Sequence, residues 1–291
     1  MEWIKATYAD AIEYVGAAKD VRGLGITFGV FAAAVGGVIA DSGIWALHVQ
    51  DWFVVACGIL LTLGGLAFGS YMLLWMMRWE LFRPNDEPTI FDRKRRKVYR
   101  ISREAKSGFK GLLQRWPLQV LEYDWDLVEA EHRATLVTTG STAYRQHELW
   151  FLVKQSATDS TVIDTFRIGN VMAMSDGITD GVWEHIRRFM EEGGPHLPGP
   201  DEPLADRTVP QSWWESMGAI GLPFGPKYLH WWKTSPMITL MHHLVLPLTL
   251  PMSLLWGTGN WLSYKTQVPV TWPDEVLAAL GPVQRGMSEN R

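Results

Sequence analysis

Trp52–Met77 reads WFVVACGILLTLGGLAFGSYMLLWMM, without one Asp, Glu, Lys or Arg. A helix needs about 20 apolar residues to cross a bilayer core about 30 Å thick, and this run exceeds that. Upstream, Leu24–Ala40 (LGITFGVFAAAVGGVIA) is also uncharged, and the interruption Asp41–Asp51 (DSGIWALHVQD) is short. Two such runs in close succession predict a transmembrane helical hairpin over residues 24–77. A cleaved signal peptide fits poorly. Its n-region would exceed about 20 residues and would carry Glu2, Asp10, Glu13 and Asp20, and a second long apolar run follows at once.

The flanks orient the hairpin. The loop Asp41–Asp51 has no Lys or Arg, whereas Lys5, Lys19 and Arg22 precede the first run, and Arg78, Arg83, Arg93, Lys94, Arg95, Arg96, Lys97, Arg100 and Arg103 follow the second. The positive-inside rule places the N-terminus and the middle of the chain in the cytoplasm, with the connecting loop on the other side. Small residues four apart, Gly25/Gly29, Ala33/Gly37 and Gly65/Gly69, are expected at helix contacts, within the hairpin or toward a partner helix. With no ionisable side chain inside either run, a transporter or channel is disfavoured.

The rest of the composition agrees. Sixteen Trp residues suit a chain with much membrane interface, and the net charge of −4 gives no sign of nucleic-acid binding. Cys57 is the lone cysteine and lies in the second run, so no disulfide framework and no cysteine-based zinc site are expected.

A third apolar stretch, within 236–264, reads PMITLMHHLVLPLTLPMSLLWGTGNWL over Pro236–Leu262. Pro247, Pro251, Gly257 and Gly259 interrupt it, and Tyr228, Trp231, Trp232, Trp256, Trp261 and Tyr264 flank it. It is read as membrane-associated, whether a broken span, a re-entrant element or an interfacial segment. A single crossing would leave the tail, 265–291, on the far side. His242 and His243 are adjacent, and on a helix they diverge by about 100°, which argues against a shared ligand site.

Between the apolar regions, residues 78–195 change period. Pro88–Asp92 and Lys97–Ile101 flank the polar turn Arg93–Arg96 as a hairpin. Trp116–Leu121, Trp125–Val128, Ala134–Thr139, Tyr144–Lys154 and Thr161–Ile168 continue the strand pattern. Gly177–Glu192 is an amphipathic helix, with Val182, Ile186, Phe189 and Met190 on one face and Gly193-Gly194-Pro195 as its stop. The fold class expected is α+β: residues 1–23 a cytoplasmic segment, then the hairpin, then an antiparallel β domain closed by one helix, of pleckstrin-homology-like barrel type. A Pro/Trp-rich linker over 196–235 leads to the third apolar segment.

No catalytic constellation emerges. His147-Glu148 lacks the second His a helical zinc-protease motif requires, and there is no P-loop, nucleophile elbow or dinucleotide fingerprint. Glu129, Glu131 and His132 read as a solvated strand edge. His230, His242 and His243 are the sole histidines placed for chemistry at a bilayer surface. The chain is therefore expected to be no enzyme and to use no cofactor or metal. The binding candidates are the basic run Arg93, Lys94, Arg95, Arg96, Lys97, which would attract anionic lipid or a protein, and the aromatic clusters Trp213, Trp214 and Trp231, Trp232, Lys233, suited to interface anchoring or to a partner.

Two resemblances extend this reading. Two membrane helices ahead of a β domain resemble bacterial pleckstrin-homology-like membrane proteins. PTIFDRKRRKVYRI (Pro88–Ile101) and VPVTWPDEV (Val268–Val276) are similar to signatures of a proteobacterial membrane protein family found near type VI secretion loci. That resemblance implies a multi-pass protein of the bacterial inner membrane, an immunity protein that binds and neutralises a toxin. The alternative is a membrane-anchored module that binds lipid or a protein partner.

Overall fold

In the computed structural model the described residues are 3–16, 22–114, 116–139, 142–169, 175–195, 204, 209–219 and 228–286. They form an α+β structure in which two antiparallel sheets stand beside three long apolar helices. The helices α1 (Leu24–Ala46), α2 (Trp52–Glu80) and α7 (Pro236–Lys265) are each long and apolar enough to cross a membrane.

The first sheet has the order β5-β4-β3-β2-β1-β9. Its strands are β1 (Ile4–Thr7), β2 (Ala11–Tyr14), β3 (Thr89–Asp92), β4 (Lys97–Arg103), β5 (Leu118–Asp124) and β9 (Arg285–Gly286). The N-terminal segment, expected to stand apart from the β domain, thus supplies two of its strands. β2 pairs with β3 across the whole hairpin insertion, Ile12 opposite Phe91 and Tyr14 opposite Thr89. β2 and β3 are buried at every position because both faces of the sheet are covered.

Strand alternation divides those faces. Ile4, Ile12, Tyr14, Phe91 and Val98 point toward the second sheet, β6 (Val128–Thr139), β7 (Thr142–Lys154) and β8 (Val162–Ile168), in the order β6-β7-β8. The helix α4 (Asp176–Arg187) and the π-helical turn Arg188–Glu192 that extends it complete this core with Val182, Ile186, Phe189 and Met190, the four residues of the apolar face read in the sequence. Gly193, at φ 66°, ends the helix in a left-handed cap. Deep in the core the Tyr14 hydroxyl lies 2.6 Å from His185 Nδ1, tying β2 to α4.

The opposite face presents Ala6, Tyr8, Ala11, Ile90, Tyr99 and Ile101. The C-terminal tail covers it. Trp272 and the helix α8 (Asp274–Leu280), through Val276 and Leu280, pack there, and β9 pairs with β1. Glu13 is buried on this face and accepts from Lys5 Nζ at 2.6 Å and from Trp272 Nε1 at 3.1 Å. The tail, whose side of a membrane the sequence leaves open, is thus part of the same folded unit as the N-terminal strands.

The sheets do not close into a barrel. Among the described residues the isolated bridge Gly16–Ile168 connects them, and the strand expected at Trp125–Val128 is a single 3-10 turn, Trp125–Leu127, followed by β6. That turn carries the chain from one sheet to the other and ends the pairing of β5. A short helix absent from the sequence reading, α3 (Gly108–Leu113), precedes β5. Lys19, the connector Gly140-Ser141, and Pro198, Pro200 and Pro203 of the expected linker lie outside the described residues.

α1 and α2 pack along a stripe of small residues. A Cβ on Gly36 would lie 2.5 Å from the Gly65 carbonyl oxygen, one on Gly43 2.6 Å from that of Gly58, and one on Gly29 2.9 Å from Met76 Cβ. Gly25, Gly65 and Gly69 share the interface, and Ala33 meets Gly69. Gly37 does not: it is exposed, and a Cβ there meets nothing within 4 Å. With 3.6 residues per turn, a strict spacing of four drifts off the contact line, so the stripe steps back to Gly36, Ala40 and Gly43. Asp51 starts α2 by accepting from the amides of Phe53 (2.8 Å) and Val54 (3.2 Å).

The domain-side ends of α1, α2 and α7 meet in a buried polar junction. The Arg22 guanidinium donates to the carbonyls of Pro84 and Ser263 and stacks on Tyr264. The Arg22 carbonyl accepts from Trp256 Nε1 (3.0 Å) and Asn260 Nδ2 (3.2 Å), and Glu80 Oε2 accepts from the Gly25 amide (3.2 Å). Burial lowers the Arg22 pKa, but the surrounding carbonyls and Tyr264 ring compensate its charge. Elsewhere α7 is almost bare: α5 (Trp213–Ala219) and α6 (Tyr228–Thr234) lie against it, through Trp213 Nε1 to Thr258 Oγ1 at 3.0 Å and through Tyr228 and Trp232 around His243.

Candidate functional site

Four of the five residues of the basic run are ion-paired. Arg93 donates to Asp10 and stacks on Phe189, and Arg95 pairs with Asp92 at 3.2 Å. Arg96 pairs with Asp126, and Lys97 with Asp124 (2.6 Å) and Glu122 (3.1 Å). Lys94 is exposed with no partner among the described residues. The turn lies at the far end of the β3–β4 hairpin from α2. β3 leaves the foot of α2 and β4 returns to it, so Arg93–Arg96 lie roughly 20 Å from that foot at the rise of a strand, beyond two Debye lengths at physiological salt. Lys94→Ala and Arg96→Ala are therefore expected to leave binding to anionic lipid unchanged and to cost under about 1 kcal/mol in thermal melts, as exposed pairs do.

The arginines beside the apolar helices belong to a different set. A cleft of about 410 Å³ opens between the foot of α2, β4 and the β7–β8 edge, lined by Trp79, Arg83, Glu87, Arg100, Arg103, Trp116, Trp150, Phe166 and Arg167. Each arginine lies over an aromatic ring: Arg83 over Trp79 (5.5 Å), Arg100 over Phe166 (5.5 Å), Arg103 over Trp116 (4.6 Å) and Arg167 over Trp150 (5.0 Å). Stacking holds the planar guanidiniums in place while leaving their edges to donate.

The cleft is built from sequence-distant parts with distinct tasks. Arg103 closes α2, donating to the carbonyls of Trp79 (2.9 Å), Arg78 (3.0 Å) and Leu81 (3.1 Å), where a helix C-terminus carries partial negative charge. Burial, with Arg78 and Arg83 nearby, pushes its pKa down to about 10, so it remains charged at neutral pH. Arg100 pairs with Asp164 at 2.7 Å, and Tyr123 donates to the same carboxylate at 2.6 Å. Arg167 pairs with Glu148 at 2.8 Å. Glu87 is the acid lining the cleft itself. Burial lifts its carboxyl above the usual range although Arg100, Arg83 and Arg103 pull it down.

An arrangement of fixed cations on aromatic walls suits a planar or tetrahedral anion, a carboxylate or a phosphate. Glu87 opposes such a ligand. Removing its charge at about 6 Å, with an effective dielectric near 20–40, is worth about 1.4–2.8 kcal/mol, so Glu87→Gln is expected to tighten phosphate binding at least roughly tenfold in calorimetry. The same variant should flatten a pH slope. A carboxyl with a raised folded-state pKa binds its proton more tightly in the fold than in the unfolded chain, so its contribution to stability falls as pH rises through that window.

Residues 66–279 match DUF6708, a family of unknown function. The chain belongs to this family. The matched residues run from the middle of α2 through α8 and so contain the whole cleft, while β1, β2 and α1 lie outside them. No curated protein and no solved structure matches the chain.

Of the other residues singled out in the sequence, Trp213 and Trp214 sit on α5, and Trp231, Trp232 and Lys233 on α6, against α7 and away from the cleft. His242 and His243 each bond through Nδ1 to a carbonyl one turn back, Ile238 and Thr239. Sequence reading missed the cleft because its arginines are scattered singly over Arg83–Arg167. The signal available was the pairing of isolated arginines with Trp and Phe in strands.

Proposed function

We propose that this chain is a non-enzymatic bacterial inner-membrane protein whose domain, on the cytoplasmic side, binds an acidic group of a protein partner in the arginine–aromatic cleft. Following the sequence resemblance, the partner is a toxin associated with type VI secretion, and the binding neutralises it. The observation that carries the reading is the set of Arg83, Arg100, Arg103 and Arg167, each stacked on an aromatic ring around one cleft. The three apolar helices would hold that cleft where a toxin entering the membrane must pass.

The test is protection. Cells expressing the genomically adjacent toxin are rescued by the wild-type chain, and Arg83→Ala/Arg167→Ala loses rescue while accumulating in the membrane normally. Full rescue by that variant would overturn the role of the cleft, and absence of any rescue by the wild type would overturn immunity.

The position of Trp79 and Arg83 at the foot of α2 favours a second reading, a pleckstrin-homology-like module whose cleft holds an anionic lipid headgroup. It predicts phosphatidylglycerol retained by the detergent-purified chain in native mass spectrometry and lost in the same double variant.

A further inference from the structure

Away from the cleft, two histidines and two aspartates converge where the start of α4 lies against the β6–β7 hairpin. His132 and His147 come from neighbouring strands and are diagonal in register, since His132 faces Leu149 and His147 faces Ala134. Their side chains meet on one face, with His132 Nε2 at 2.9 Å from His147 Nδ1. Asp176, in the first turn of α4, brings Oδ1 to 3.5 Å from His147 Nδ1 and 3.8 Å from His132 Nε2. Asp180, one turn on, places Oδ1 3.1 Å from His132 Nδ1.

We infer that His132 Nε2, His147 Nδ1 and Asp176 Oδ1 form a binding site for a divalent transition ion of the zinc class. The argument is geometric. Ligand atoms about 2.0–2.1 Å from a tetrahedral zinc ion lie about 3.3–3.4 Å from one another, and the three separations of 2.9, 3.5 and 3.8 Å bracket that value. All three atoms fall within 4.8 Å of one another. Nitrogen donors from two imidazoles with one carboxylate select zinc, cobalt or nickel over calcium or magnesium, which prefer all-oxygen shells.

Asp180 supplies the outer contact such sites require. By accepting from His132 Nδ1–H it fixes the tautomer that leaves Nε2 free to ligate, the carboxylate–histidine–metal arrangement. The histidine side chains are 27% and 13% exposed and Asp176 is 77% exposed, so the ion has a path from solvent and its fourth position faces water. Without metal, one proton shared between His132 Nε2 and His147 Nδ1 satisfies both rings. The ion replaces that proton and joins the start of α4 to the sheet, at the helix that closes the domain core.

The experiment uses the full chain, purified in detergent through a tag without histidines and stripped with chelator. Titration with Co²⁺ is expected to give the visible absorption of a four- or five-coordinate site at one ion per chain, and calorimetry with Zn²⁺ the same stoichiometry. His132→Ala and His147→Ala should each weaken Zn²⁺ binding at least ~100-fold, and Asp180→Asn by ~10–100-fold. A His242→Ala/His243→Ala variant should bind as the wild type does. If a histidine variant fails to fold, Asp176→Asn removes a ligand from an exposed position and serves in its place. Failure to saturate at one ion per chain, or unchanged affinity in His132→Ala or Asp176→Asn, would overturn the site.

Discussion

Gly65→Leu will destabilise the helical hairpin by at least about 3 kcal/mol, whereas Gly37→Leu will leave it unchanged. A Cβ on Gly65 would lie 2.5 Å from the Gly36 carbonyl oxygen and 2.8 Å from the Ala40 amide nitrogen. Both are backbone atoms of the facing helix, so no rotamer change relieves the clash and the helices must move apart. Overpacking against movable side chains costs about 1–3 kcal/mol, and here the displacement would also strip the contacts at Gly43 and Gly58 and the bond from Thr62 Oγ1 to the Ala40 carbonyl at 3.3 Å. In a bilayer, close approach of small residues is the main attraction between helices, so the loss is not recovered elsewhere. Thermal melts of the two variants in detergent, read alongside the amount of each recovered from membranes, check the contrast.

Trp272→Ala will cost about 3–5 kcal/mol, as large-to-small changes of buried aromatic residues do. Trp272 lies on the second face of the six-stranded sheet among Ala6, Ile90, Tyr99 and Val276, and its Nε1–H satisfies the buried Glu13. Truncation opens a cavity and leaves Glu13 with weaker compensation. Trp272→Phe separates the two effects: it keeps most of the packing and should lose about 1 kcal/mol for the hydrogen bond. Denaturant titration monitored by near-ultraviolet circular dichroism is the measurement. A melt of Trp272→Ala matching the wild type would mean that the tail adds nothing to the sheet.

These two sites show what the sequence made legible. The apolar runs were readable because length and absence of charge suffice, and Gly65 and Gly69 were readable because small residues recur at helical spacing. Gly36 was not, since one residue's drift along a helix is invisible until the partner's position is known. The amphipathic face of α4 was legible because Val182, Ile186, Phe189 and Met190 keep a 3.6-residue period. β1 and β2 were not, because their pairing with β3 spans the whole hairpin and local pattern carries no record of such distant contacts. The partners of the basic run were hidden for a related reason: Asp92 adjoins it, but Asp10, Asp124 and Asp126 come from other segments, and together these four acids pair four of its five bases. The cleft and the histidine pair were hidden alike, each assembled from residues on separate strands.

The pairing of β1 with both β2 and β9 has a consequence for biosynthesis. The six-stranded sheet takes strands from residues 4–14, 89–124 and 285–286, so its first strands leave the ribosome before either hairpin helix and its last only as synthesis ends. Sheet closure therefore waits on the end of synthesis: until residues 285–286 emerge, β1 keeps one edge unpaired, an open template that other strands could occupy.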